Sequence, residues 1–189
     1  MKQEDRVNQT KHNFRMALLR LLQEKPINKI SIRELTEVSH YNRSTFYLYY
    51  QDIYDLQEDI EQTVLREVQE RMERHPPLEM KDSIYPLIRE IFLYADENRE
   101  VFKMLSISNS YSTLTNDITE LVRKRCYMAW DIVFPGANKE HYEPFFHYLC
   151  SGLIAIVIYW ISDSKKSVDE ISEIAARLVY SGSTVLTEN

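Results

Sequence analysis

Apolar residues recur along this chain at helical spacing. Phe14, Ala17, Leu18, Leu21 and Leu22 stand at i, i+3, i+4, i+7 and i+8, one stripe of a helix that begins near Asn8 and stops before Pro26. A short connection leads to Ser31-Ile-Arg-Glu34, an S-x-x-E capping box in which each side chain satisfies an otherwise orphaned backbone N–H. A second helix is therefore predicted from about Ile32 to near Ser39, burying Leu35 and Val38. Asn42 is a natural N-cap for a third, very short helix over about Arg43 to Tyr49. Asp52 caps a fourth, which runs toward His75 until Pro76-Pro77 ends it. Further helical patterns cover about 80–97, 100–107, 112–133, 140–162 and 168–182, and Ser167 with Glu170 repeats the capping box at the start of the last. No strand-type alternation or internal repeat stands out. The expected fold is all-α, about nine helices, with a three-helix head at the N-terminal end and a helical body after it.

Composition narrows the function classes. The 189 residues include only three glycines, Gly136, Gly152 and Gly182, no two of them close together. Glycine-rich nucleotide loops and tight hairpin turns are thereby disfavoured. The 44% hydrophobic content suffices for a real core, and the mean hydropathy of -0.42 is that of a soluble chain. The longest apolar run, Gly152 to Ile161, is ten residues, about half of what a bilayer-spanning helix needs, so no membrane partner is expected. The N-terminal stretch has charges but no apolar signal core. Cys126 and Cys150, without a CxxC, fit free thiols in a reducing cytoplasm.

Charge is split along the chain. Residues 1–51 hold nine Lys or Arg against five acids, a net of +4, which leaves -10 for the remainder of a chain whose total is -6. A basic head on an acidic body suggests two functional units, 1–51 and 52–189, with the head as the place where a polyanion binds.

The residues that carry chemistry lie in that head. Two short helices joined by three or four residues, the second opening with small and cationic side chains, form a helix-turn-helix. On a helical wheel Phe46 and Tyr50 share one face, while Arg43, Ser44, Tyr47 and Leu48 point the other way. That outward face suits a DNA major groove. Arg donates two hydrogen bonds to guanine, Ser and Thr are short enough to let the helix approach base edges, and a Tyr hydroxyl reaches phosphate. Arg33, near the start of the second helix, adds a cation on the same side of the turn.

Residues 30–56, ISIRELTEVSHYNRSTFYLYYQDIYDL, carry Ser44-Thr-Phe-Tyr-x-Tyr-Tyr50 followed by Asp55-Leu56 and resemble the DNA-binding signature of the TetR family of transcriptional regulators. The likeness in wording covers about residues 8–60; beyond that it is one of architecture. It implies a homodimer whose paired recognition helices enter successive major grooves, about one helical turn of DNA apart. Arg33, Arg43, Ser44 and Thr45 match positions that face bases or nearby phosphates, Tyr47 and Tyr49 match phosphate-contacting positions, and Asn42 completes the set. Two departures stand out. His40 occupies a turn position where the family has Gly and a left-handed backbone is expected. Ile53 stands where the family often has a phosphate-binding Lys, which leaves the free N–H groups at the start of the fourth helix to hold the backbone.

In the body, Tyr148, Ser151, Gly152, Ala155 and Tyr159 recur at three- and four-residue spacing in a helix too apolar all round to have a solvent face. The resemblance implies a four-helix dimer bundle there, with Leu178, Val179, Val185 and Leu186 supplying the other half. An ordinary core helix of a monomer is the alternative. Phe92, Phe102, Tyr111, Tyr127 and Trp130 are candidate walls of a cavity for a small apolar or aromatic inducer, as the family implies, or plain core. No cofactor is expected. His141, Glu143 and His147 are the clustered candidates for a metal or catalytic site, but their spacing aligns poorly on a helix and Pro144 interrupts it, so neither role is expected. The expected function is a dimeric DNA-binding regulator, a repressor by family habit. The competing reading is a helical module whose acidic body binds a partner protein.

Overall fold

The structure, a computed structural model, describes residues 3–99, 102 and 111–187, the side chains of 111–113 and 115 excepted. Among the described residues it is all helix, without strands. The described residues form eight α-helices: α1 (Gln3–Glu24), α2 (Ile32–Ser39), α3 (Arg43–Tyr47), α4 (Ile53–Glu73), α5 (Tyr85–Glu97), α6 (Tyr111–Val133), α7 (Tyr142–Asp163) and α8 (Val168–Ser183). The segment predicted over 100–107 lies outside the described residues, apart from Phe102.

Most boundaries follow from end chemistry. Ser31 and Ser167 each accept from the backbone N–H three residues on, while Glu34 and Glu170 reach back to the cap, so both capping boxes form and fix the starts of α2 and α8. Two starts differ from the periodicity. α1 begins at Gln3, because its first turn is polar and so carries no apolar signal, yet Glu4 and Asp5 suit the positive end of the helix dipole. α5 begins at Tyr85, preceded by a separate 3-10 turn over Glu79–Lys81; Pro86 sits in its first turn, where its missing N–H has no intrahelical partner to lose.

By packing, the described residues fall into two compact units that divide between Val64 and Leu65, inside α4, with Tyr111 grouped with the first. In the first, the α1 stripe of Phe14, Ala17, Leu18, Leu21 and Leu22 closes with Leu35, Phe46, Tyr50, Leu56 and Ile60 into one core. Phe14 meets Phe46 edge-on at 5.4 Å between ring centroids and Tyr50 at 6.3 Å. Burying each of these large side chains contributes roughly 1.5–3 kcal/mol. The first turns of α4 add Ile53, Leu56, Ile60 and Val64 to the buried residues of this unit.

The second unit is built on α7, which buries Tyr142, Phe145, Phe146, Leu149, Cys150, Val157, Trp160 and Ile161. Phe92 of α5 packs on Trp160 at 5.5 Å, and Trp130 of α6 lies 5.1 Å from both Tyr142 and Phe145. Gly182 lets α8 come close: a Cβ there would meet Phe145 at 3.0 Å and Tyr148 at 3.1 Å. The expectation that no helix has the length of a membrane span needs correction. Lys139–Asp163 is 25 residues with an 18-residue window of mean hydropathy 1.7, enough by length and composition to cross a bilayer. Counting uninterrupted apolar residues missed this, because scattered polar residues break the run without lowering the average. The helix nonetheless serves as the core of its unit, with Phe146 and Trp160 fully buried.

A candidate nucleic-acid interface on the head

The helix-turn-helix is made by α2, a three-residue turn and α3. His40 ends α2 in the left-handed region, at φ 59°, ψ 29°, the one non-glycine residue with positive φ among the described residues. Its N–H and that of Tyr41 both return to the Thr36 carbonyl, an αL helix end that histidine tolerates at some cost in strain. The turn delivers Asn42 as the N-cap of α3. Its Oδ1 accepts from the Thr45 N–H at 2.7 Å, the Ser44 hydroxyl at 2.7 Å and the Thr45 hydroxyl at 2.8 Å.

Packing then decides which way α3 faces. Phe46 is fully buried and Tyr50 nearly so, while Arg43, Ser44 and Tyr47 are exposed. No described carboxylate pairs with Arg43, so its guanidinium is open to solvent. Thr45 and Tyr49 are half-buried, and Asn42 is exposed at the edge of the same face. Arg33 is exposed but turned along α2, its Nε 2.9 Å from Glu37.

One expectation about this surface is narrowed. The N-terminus of α4 offers fewer free N–H groups than expected: Asp52 Oδ1 accepts from Tyr54 and Asp55, and Asp55 Oδ2 accepts from Gln51 just before the helix. Ile53, where a lysine was looked for, is buried. Two carboxylates thus stand at the helix end where a phosphate was expected.

A network that the sequence did not announce braces α3 from behind. Asp59 of α4 accepts from Arg15 Nε at 2.7 Å and from the Tyr50 hydroxyl at 2.8 Å, with Lys11 Nζ at 4.0 Å and above the Tyr50 ring. Burial opposes ionisation of Asp59, but the hydrogen bonds from Arg15 and Tyr50 and the charges of Arg15 and Lys11 outweigh it and hold its carboxyl below the usual value. Burial and the neighbouring carboxylate push the Tyr50 phenol up. At the start of α2, Lys25 and Ser31 bring Glu34 down to about 2.

The residues singled out in the body divide. Tyr148 and Tyr159 of α7 are 58% and 57% exposed and Leu178 of α8 is 45% exposed; Ser151 and Ala155 are exposed and Gly152 is half-buried. Val179 and Leu186, expected on the same outer surface, are instead inside the unit's own core. Apolar residues occupy both sides of α8: Ile171, Ala175 and Val179 face inward, while Ile174, Leu178 and Tyr180 face out. Among the aromatic residues suggested for a cavity, Phe92 and Trp130 are buried against their neighbours, Phe102 packs on Tyr94 at 5.7 Å, and Tyr127 lies 5.7 Å from Trp130. The Tyr111 side chain lies outside the described residues. Glu143 pairs with Arg123 and accepts from the Tyr127 hydroxyl, with His147 Nε2 2.9 Å away, whereas His141 turns to the Val185 carbonyl.

The first unit thus carries a helix-turn-helix with an exposed polar face on α3, and the second is a helical unit of its own. The family model TetR_C_8, transcriptional regulator C-terminal region, matches residues 82–181, more than half of the chain. The chain belongs to the TetR family of transcriptional regulators and is not an enzyme. It is similar in fold to a TetR-family regulator from Streptomyces coelicolor, with a TM-score of 0.64 and 18% identity over 93% of this chain and 81% of that one. The dihydroxyacetone kinase operon activator DhaS gives 0.57 and 14% over 94% and 97%. A TetR regulator from Rhodococcus sp. RHA1 gives 0.50 and 13% over 94% and 99%. No curated protein sequence matches the chain significantly.

Proposed function

We propose that the protein is a cytoplasmic, dimeric, sequence-specific DNA-binding repressor, with residues 1–51 as its DNA-binding domain and 52–189 as its regulatory and dimerisation domain. The observation that carries this reading is the exposed trio Arg43, Ser44 and Tyr47 opposite the buried Phe46. A guanidinium with no carboxylate partner among the described residues, beside short hydroxyl side chains, suits a guanine edge, and the Tyr47 phenol suits a phosphate. Asn42, Thr45, Tyr49 and Arg33 border the same surface. Dimerisation uses the outer side of α7 and α8 around Tyr148, Ser151, Ala155, Tyr159 and Leu178, where large apolar side chains remain in solvent. Repression follows from occupancy alone, since covering a promoter requires no further contact surface; an operon activator among the structural neighbours makes the sign of regulation worth measuring.

The test is a fluorescence titration against duplex DNA at several salt concentrations. Affinity should fall steeply as salt rises, and Arg43→Ala should weaken specific binding by about 100-fold, one base contact of roughly 1–3 kcal/mol lost in each of two half-sites. A protein that binds no duplex at any salt, or an Arg43→Ala variant that binds as wild type, contradicts the reading and favours the partner-protein module. A reporter that rises on deletion marks a repressor; one that falls marks an activator.

A further inference from the structure

The outward side of α3 carries a side chain that hydrogen bonding does not explain. Leu48 is 77% exposed, more than Tyr47 beside it at 57%. It is not frayed: its backbone is helical at φ -71°, ψ -22°, and its N–H bonds to the Ser44 carbonyl at 3.2 Å. Ser44, Tyr47 and Leu48 therefore form one stripe at i, i+3 and i+4, away from the buried Phe46. The neighbours on this surface all carry donors or acceptors: the Arg43 guanidinium, the Ser44 hydroxyl and the Tyr47 phenol. Leu48 has none and recognises only by apolar contact. In the major groove every base pair presents donors and acceptors, but thymine alone adds an apolar group, the C5-methyl.

We propose that Leu48 is a specificity-determining residue that packs on the C5-methyl of one thymine in each operator half-site. This rests on the DNA-reading function proposed above. Each half-site then carries thymine at one fixed position relative to the base read by Arg43, and 5-methylcytosine at that position presents the same methyl group.

The experiment takes the operator selected by the full chain and replaces each thymine in turn by deoxyuridine, which deletes the methyl and keeps every hydrogen-bonding group. Wild-type binding should weaken at one thymine per half-site, about fourfold for each methyl removed, the value of burying one such carbon. Leu48→Ala should bind the thymine and uracil duplexes alike, and Leu48→Met should keep the preference. Both variants change an exposed side chain, so an unchanged helical circular dichroism spectrum is expected. Uracil tolerated at every position by the wild type, or the same discrimination kept by Leu48→Ala, overturns the methyl contact while leaving DNA reading intact. Failure to bind any duplex overturns both.

Discussion

In the head, α3 buries Phe46 and Tyr50 and presents Arg43, Ser44 and Tyr47 to water. In the second unit, α7 buries Phe146 and Trp160 and still presents Tyr148, Ala155 and Tyr159. Both helices have filled the core beneath them, and what remains outside differs in kind. The α3 remainder is polar apart from Leu48 and has donors for a polyanion. The α7 remainder is largely apolar, and α8 likewise leaves Ile174, Leu178 and Tyr180 in solvent. Under the proposed function, the surplus left after the core is satisfied sets each partner's chemistry: DNA for α3, a second copy of the same surface for α7 and α8.

The largest expected effect tests the second half of that comparison. Ala155→Arg puts an uncompensated charge in the middle of the α7 stripe, and burying an unpaired charge in an interface costs several kcal/mol. Dimer affinity should fall by about three orders of magnitude in sedimentation equilibrium, with helix content unchanged. A variant that stays dimeric places the interface elsewhere.

The next test sharpens the first half. Asp59→Asn removes the charge that holds Arg15 and Tyr50 behind α3 and should cost about 1–2 kcal/mol at neutral pH, allowing for partial solvent screening. The sign of the pH dependence follows from the lowered carboxyl. The folded head favours ionised Asp59, so its contribution is complete above the ordinary aspartate range, near pH ~4, and is lost as pH falls below it. The stability gap between wild type and Asp59→Asn, from urea titrations, should be widest near neutral pH and narrow in acid. A gap that widens in acid contradicts the clamp. Smallest is Ser31→Ala, which removes the α2 cap and should cost about 1 kcal/mol, read as a lower urea midpoint.

How much of this was legible in the sequence depended on the range of the interaction. Local devices were readable: Ser31 with Glu34, Ser167 with Glu170 and Asn42 at the start of α3 act within three residues, and each forms as its spacing implied. The orientation of α3 was readable because Phe46 and Tyr50 are aromatic and Arg43 and Ser44 polar. Long-range partners were not. Arg15 and Asp59 are 44 residues apart, and no periodicity links them. Nor could spacing separate Val179, in the core, from Leu178, on the surface, because α8 is apolar on both sides and only packing against α5 and α7 selects one. The partly satisfied N-terminus of α4 was missed for a related reason: Asp52 was recognised as a cap, but a cap consumes two of the N–H groups that a phosphate would use.

Selection of bound sequences from a random duplex pool by the full-length chain tests the central claim most directly. Two-fold symmetric sites with half-sites about one helical turn apart or somewhat more, lost when Arg43→Ala is used instead, are the predicted result. A pool that shows no enrichment, or enrichment of asymmetric sites that Arg43→Ala selects equally well, would contradict it.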